Sequence, residues 1–177
     1  MQKPVEPAQA LARKYPEQVV LVTTQAAAGR PNVMAVGWVA IASSKPPMFV
    51  LGIDAGAYTY ELITKTKEFV VAFPSERMAQ ETLFAGSHSG RDTQKFAKAG
   101  IRTQAAAVVK APLVADAAAN FECTLVEITR PGDCPLIVGQ VVAAHANQDE
   151  SLRRLYTLAK GHKLGGVRPV KKVKSKK

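Results

Sequence analysis

Asn32-Val-Met-Ala-Val-Gly-Trp38, Ser43-Ser-Lys-Pro-Pro-Met48 and Gly52-Ile-Asp-Ala-Gly-Ala-Tyr-Thr59 follow one another within 28 residues. Asn32 to Ala42 is largely apolar, with small residues at Ala35, Gly37, Ala40 and Ala42. Small residues let a flat ligand or a neighbouring backbone come close. Trp38, the only tryptophan, offers a large ring to pack or stack. Pro46-Pro47 stops the strand, because proline cannot donate to a ladder. Met48 to Ile53 reads as the next strand, Ala55-Gly56-Ala57 as a turn, and Thr59 as the cap of a following helix. The plainest reading of this pattern is a buried hairpin that holds no ligand.

On either side the pattern is again strand-rich. Val19 to Thr24 is β-branched and reads as a buried strand, pairing antiparallel with the Val33 strand across the Ala28–Asn32 turn. Phe69 to Phe73, Phe121 to Thr129 and Leu136 to Ala144 read as further strands, and Ala111 to Val114 opens the second β section. Helices are expected over Ala8–Lys14, Thr59–Lys67, Ser75 to Ala85 with Gly86 as its stop, a short stretch through Lys95 and Phe96 ending at Gly100, and Ser151–Leu158. Ser89 and Asp92 have the spacing of a capping box. Lys160 to Gly166 reads as a loop. Strands in antiparallel runs, without strict βαβ alternation, predict a mainly β barrel or sandwich with peripheral helices.

The 177 residues fit one domain, 1–170, followed by a basic tail, 171–177. Hydrophobic residues are 47% and charged residues 21%, enough apolar surface for a real core. The formal charge is +10, and five lysines between 171 and 177 supply half of it. Aromatics are 6% and do not alternate with basic residues, which argues against a nucleic-acid stacking surface. No run reaches the ~18 apolar residues of a membrane span. The N-terminus lacks an apolar signal segment, so a cytoplasmic protein is expected. Cys123 and Cys134 make no disulfide framework.

The chemistry narrows by motif. His88, His145 and His162 are scattered, with no His-x-x-x-His or Cys-x-x-Cys zinc spacing. No Gly-x-Ser-x-Gly elbow, P-loop or Gly-x-Gly-x-x-Gly occurs, so a serine hydrolase or Rossmann reading is unsupported. What remains is an anion site and an apolar slot. Helix starts near Thr59 and Ser89, with the Lys95 cation, suit a terminal phosphate. Met34 to Trp38 suits a flat heteroaromatic ring. Together they describe a mononucleotide, though sequence does not bring them together.

In the order of these pieces, with Tyr58-Thr-Tyr-Glu-Leu-Ile63, Lys67-Glu-Phe-Val-Val71, Ser89-Gly-Arg-Asp-Thr-Gln-Lys-Phe96 and Gly132-Asp133, the sequence resembles the flavin reductase-like family, the FMN-binding split barrels. The resemblance runs from about Pro16 to Pro169 and implies a six-stranded antiparallel split β-barrel, a homodimer, and FMN near the subunit interface. It implies that Asn32 and Trp38 flank the flavin and its ribityl chain, that Met34, Ala35, Val36 and Gly37 line the ring edge, and that Thr59 and Lys95 contact phosphate. Cys134 stands where relatives often carry histidine, and His162 where they often carry an aromatic; both are expected near the flavin, with Cys134 an inert thiol. The implied activity is an NAD(P)H-dependent flavin oxidoreductase, with NADH or NADPH as donor. The rival readings are an FMN-binding electron carrier without enzymatic activity and a basic interaction module.

Overall fold

The computed structural model describes residues 1–169; the basic stretch 171–177 lies outside them. The chain runs α1 (Pro7–Leu11), β1 (Glu17–Gln18), β2 (Val20–Gln25), β3 (Pro31–Val36), β4 (Val39–Ser44), β5 (Pro47–Gly52), α2 (Tyr58–Thr66) and β6 (Glu68–Pro74). A 3-10 turn (Glu76–Met78), α3 (Ala79–Ser87), α4 (Lys95–Ala99), β7 (Thr103–Gln104) and β8 (Leu113–Val114) follow. The chain continues through β9 (Ala117–Thr129), β10 (Leu136–Ala146), β11 (Leu155–Ala159) and β12 (Lys163–Gly166).

Seven strands form one antiparallel sheet in the order β3-β2-β6-β9-β10-β5-β4. Its edge strands, β3 and β4, are consecutive in the chain and separated only by Gly37 and Trp38. The two edges therefore meet at one corner and part elsewhere, which makes a barrel split along a seam. The main sheet has seven strands where six were expected, because the continuous Asn32–Ala42 strand breaks at Gly37-Trp38 into β3 and β4.

Side chains alternate between two faces along each strand. Inside lie Val20, Val22, Phe69, Val71, Leu51, Cys123 and Ile137. The rings of Phe49, Phe73 and Phe121 meet there with centroids 5.2–6.0 Å apart. Ile63 of α2 joins this core. Outside, Leu21, Val33 and Ala72 are covered by Met78, Ala85 and Ile101. Full burial of one side chain the size of Phe69 contributes roughly 2–3 kcal/mol. A third cluster, Val70, Val109, Ala111 and Leu113, is held by a polar anchor. The buried Glu122 carboxylate accepts the backbone N–H groups of Ala107, Val108 and Val109 at 2.7–2.8 Å and pairs with His145 Nε2 at 2.6 Å.

Several local expectations are corrected. Residues 151–158 are not helical: Asp149 Oδ1 accepts the Ser151 N–H in a turn, and Leu155–Ala159 forms β11 between β1 and β12. More than half of the expected loop 160–166 is β12. The first helix is confined to Pro7–Leu11. Ser75 makes no capping bond, and α3 passes through Gly86 to Ser87, whose hydroxyl donates to Leu83 O. Among the described residues no helix is long and apolar enough to cross a membrane.

The small sheet β1-β11-β12 is tied to the barrel by Arg154. Its guanidinium lies 4.0 Å from the Phe73 ring centre and donates to Gln18 Oε1 at 3.1 Å. This fixes the β11–β12 hairpin beside α3 and the start of the seam.

Candidate functional site

Two adjoining cavities occupy the seam side of the barrel. The first, about 330 Å³, lies between β3, α3 and the small sheet. Met34 to Trp38 form one wall, Thr82 and Gly86 another, and Thr157, His162 and Leu164 a third. The second, about 370 Å³, is lined by Asn32, Thr59, Ser89 and Lys95 with the Gly56–Tyr58 turn. Met34, Gly86 and Ser87 belong to both. The apolar slot and the anion pocket, which sequence left separate, thus share a wall.

The candidate anion pocket is built from long-range contacts. Asn32, buried at the start of β3, donates from Nδ2 to Thr59 Oγ1 at 2.9 Å and to Thr24 Oγ1 at 3.2 Å. Thr59 does not cap α2. The cap position is Ala57, which has no side chain to do it, and Thr59 sits inside the first turn. Because the Thr59 oxygen accepts from Asn32, its own proton is left for another acceptor. The uncapped first turn adds backbone donors and the positive end of a helix dipole.

Lys95 is only 4% exposed, donates to Ala85 O at 2.8 Å, and forms no ion pair among the described residues. Burial pushes its ammonium pKa down to about 8. An unpaired buried cation is costly, and an anion in the pocket would offset that cost.

Ser89 departs from expectation. The helix that contains Lys95 begins there, with Gln94 at the cap position, so Ser89 and Asp92 form no capping box. Ser89 Oγ instead accepts the Arg91 N–H at 3.2 Å in the loop that walls the pocket. That loop is pinned by Arg30, which donates to Gly90 O at 2.6 Å, and by the Arg91–Glu61 ion pair.

Trp38, which pattern alone makes a core ring, is 59% exposed at the β3–β4 corner. A Cβ on Gly52 would stand 3.0 Å from its Cε3, so the glycine lets the indole lie flat on the strand. Cys134 Sγ lies 3.6 Å from that same point but is not on the wall of either cavity. Burial, then the Asp133 and Asp54 carboxylates, raises the Cys134 thiol pKa. His162 sits at the β11–β12 turn with a left-handed φ of 55° and faces the slot. Sequence reasoning missed the slot wall from α3 and, apart from His162, the wall from the small sheet. Only the small, helix-spaced Thr82, Ala85 and Gly86 signalled a face close to another surface.

Residues 12–163 match the flavin reductase like domain. The chain belongs to the flavin reductase-like family. An uncharacterized protein of Pyrococcus abyssi is 35% identical over 129 residues, 73% of each chain. Flavoredoxin of Desulfovibrio vulgaris superposes with a TM-score of 0.82 at 24% identity, covering 99% of this chain and 98% of that one. An FMN-binding protein from Thermus thermophilus, solved with bound 1-cyclohex-2-enone, superposes with a TM-score of 0.77 at 25% identity over 94% of each chain. Family membership makes this a flavin-related oxidoreductase.

The residues of this flavin reductase-like chain fit a phosphorylated flavin. The buried Lys95, the Thr59 hydroxyl and the α2 start form a cationic, donor-rich end, and Met34, Ala35, Val36 and Gly37 form an apolar end. Gly90 is a sensitive point, because an added Cβ would overlap Asn32 Oδ1 and Cγ. Gly90→Ala is expected to displace Asn32 from Thr59 and weaken binding of a phosphorylated flavin about fivefold or more, a loss of about one neutral hydrogen bond. Unchanged affinity in a fluorescence titration would show that the Asn32–Thr59 bond does not organise the pocket.

Proposed function

We propose that the chain binds FMN and acts as an NAD(P)H-dependent flavin reductase. The observation that carries this reading is the uncompensated buried Lys95, set beside Thr59 and the uncapped α2 in a pocket that opens into the Met34–Trp38 slot. Asn32 orients Thr59, Thr59 and Lys95 hold the phosphate, and Ser89 shapes the outer wall. Backbone and side chains from Met34 to Gly37 line the ring, with Trp38 and His162 at the rim. When bound, the flavin supplies the redox chemistry; the protein supplies binding, orientation and shelter from water. Cys134 stays protonated next to Asp133 and takes no part in electron transfer.

A homodimer accompanies this reading. Its support is edge strand β4, where Ile41 is 76% exposed beside exposed Ala40, Ala42 and Trp38. Such an edge invites a partner.

The test is the visible absorption spectrum of purified protein with and without added FMN, followed by NAD(P)H oxidation. Flavin absorption at about one FMN per chain with nucleotide turnover is expected. Absence of FMN uptake, with its fluorescence unquenched, overturns the reading. FMN uptake without NADH or NADPH oxidation replaces the reductase with an electron carrier fed by another protein.

A further inference from the structure

Three helical hydroxyls are tied to their own backbone, and that of Thr59 on α2 is engaged by Asn32. Thr64 donates to Tyr60 O, Thr66 to Leu62 O and Ser87 to Leu83 O, each at 2.9 Å and each four residues back. This is the ordinary arrangement for a hydroxyl within a helix. Thr82 breaks it. It lies on α3, is 1% exposed, and its Oγ1 has no hydrogen-bond partner. The carbonyl four residues back belongs to Met78, at the junction between the 3-10 turn and α3, where the backbone leaves helical angles at φ −96°, ψ 25°.

A buried hydroxyl without a partner opposes folding. Valine has almost the same shape and would remove that cost, so packing alone does not explain a threonine here. Thr82 stands on the wall of the apolar slot, across from Met34 to Gly37, and does not line the anion pocket. The other polar side chains on the slot walls are Glu17, Ser87, Thr157 and His162; apart from Trp38, the rest is aliphatic side chain and glycine backbone. A hydroxyl at this place can donate to a carbonyl oxygen or ring nitrogen, or accept from a ring N–H.

We infer that the Thr82 hydroxyl is a specificity-determining contact for the heteroatom edge of the flavin ring, a role separate from phosphate binding. This rests on the FMN reading above and deepens it. The hydroxyl stays unpaired until the ring enters, so the ligand-free protein carries a defect that binding removes. A ring analogue of the same outline without a polar edge at this point would leave the defect in place, and the slot would discriminate against it.

The experiment compares the parent, Thr82→Val and Thr82→Ser in two measurements. The first is the thermal melt of ligand-free protein. The second is a fluorescence titration with FMN, riboflavin and lumiflavin, which share the ring but differ in chain and phosphate. The expected result for Thr82→Val is a melting temperature equal to or above the parent's, with all three ligands weakened by a similar factor of about five to ten. Thr82→Ser should bind all three within about twofold of the parent. A lowered melting temperature with unchanged flavin affinity would overturn the inference and make Thr82 a packing residue. Loss confined to FMN would overturn it in favour of a phosphate role, and loss spared only for lumiflavin in favour of the ribityl chain. Failure of the FMN reading itself shows differently, because the parent then binds none of the three ligands.

Discussion

Lys95→Met should weaken FMN about ten- to a hundredfold while leaving riboflavin nearly unchanged. A charge-assisted bond to a phosphate contributes about 1.5–3 kcal/mol, and about 1.4 kcal/mol is a factor of ten. Riboflavin has the same ring and ribityl chain but no phosphate, so it never draws on the cation. The ligand-free variant should melt at or above the parent's temperature, since methionine fills similar space without a buried charge. Equal losses for the two ligands would remove Lys95 from the phosphate pocket. A large fall in melting temperature would show that the Lys95–Ala85 bond is structural.

The same lysine gives FMN affinity a pH dependence. Burial lowers its pKa to about 8 from the ordinary 10.5. Below pH 8 the ligand-free protein holds the proton that attracts phosphate; above it, binding must be accompanied by proton uptake. FMN affinity should therefore fall as pH rises from about 8, by at most about tenfold per unit. Stability moves the other way. The unfolded chain binds this proton more tightly than the folded one, so the Lys95 cost to folding shrinks between about pH 8 and 10.5. Riboflavin affinity should lack the first trend, and the Lys95→Met variant should lack both.

The barrel strands were legible where β-branched or apolar runs are bounded by proline and glycine: Val19–Thr24, Phe69–Phe73 and Leu136–Ala144. Their contents hardly depend on remote partners. Residues 151–166 were not legible, because Leu152, Leu155 and Leu158 suit a helical period as well as Leu155 and Thr157 suit a strand. The deciding partner, Glu17–Gln18, enters from about 140 residues away. The candidate anion pocket was half legible. Thr59 and Lys95 stand out by their chemistry, but the Asn32–Thr59 bond crosses 27 residues. Ser89 was read as a cap because its spacing to Asp92 fits, while the chain takes another turn before α4 begins. Thr82 signalled only a close-packed helix face, since a threonine there looks like packing until its missing partner is seen. His145 shows in the sequence only as one of three scattered histidines, and nothing near it in the chain reveals that its partner is a buried glutamate.

That glutamate carries the larger stability prediction. Glu122 is fully buried on β9, and its two oxygens receive three backbone N–H groups and His145. Burial pushes its pKa up, but the donors from Ala107, Val109, His145 and Val108 outweigh it and hold the group down to about 2. In Glu122→Gln one oxygen becomes an NH2. With the amide nitrogen at the Oε2 position the Val108 and Val109 N–H groups face another donor; at the Oε1 position the Ala107 N–H does, while His145 can switch to the tautomer whose Nε2 accepts. A loss of about 2–4 kcal/mol is expected, from the broken bonds and the buried groups left unpaired. For a chain of this size that corresponds to a melting temperature lower by on the order of 5–15 °C. The backbone amides of Ala107, Val108 and Val109 should also lose protection from hydrogen exchange, because Glu122 is what pins that segment over Val70. Flavin binding should survive at temperatures where the variant is folded, since neither Glu122 nor the 107–109 segment lines either cavity. The acid limb supplies an independent check. With the folded pKa depressed, the stabilisation is complete above the ordinary carboxylate value of about 4.5 and is lost as pH falls through about 2. The gap in stability between parent and Glu122→Gln should therefore narrow steadily from pH 4.5 downward. A gap that stays constant across that range would mean that the carboxylate charge contributes nothing, and that the anchor works through shape alone.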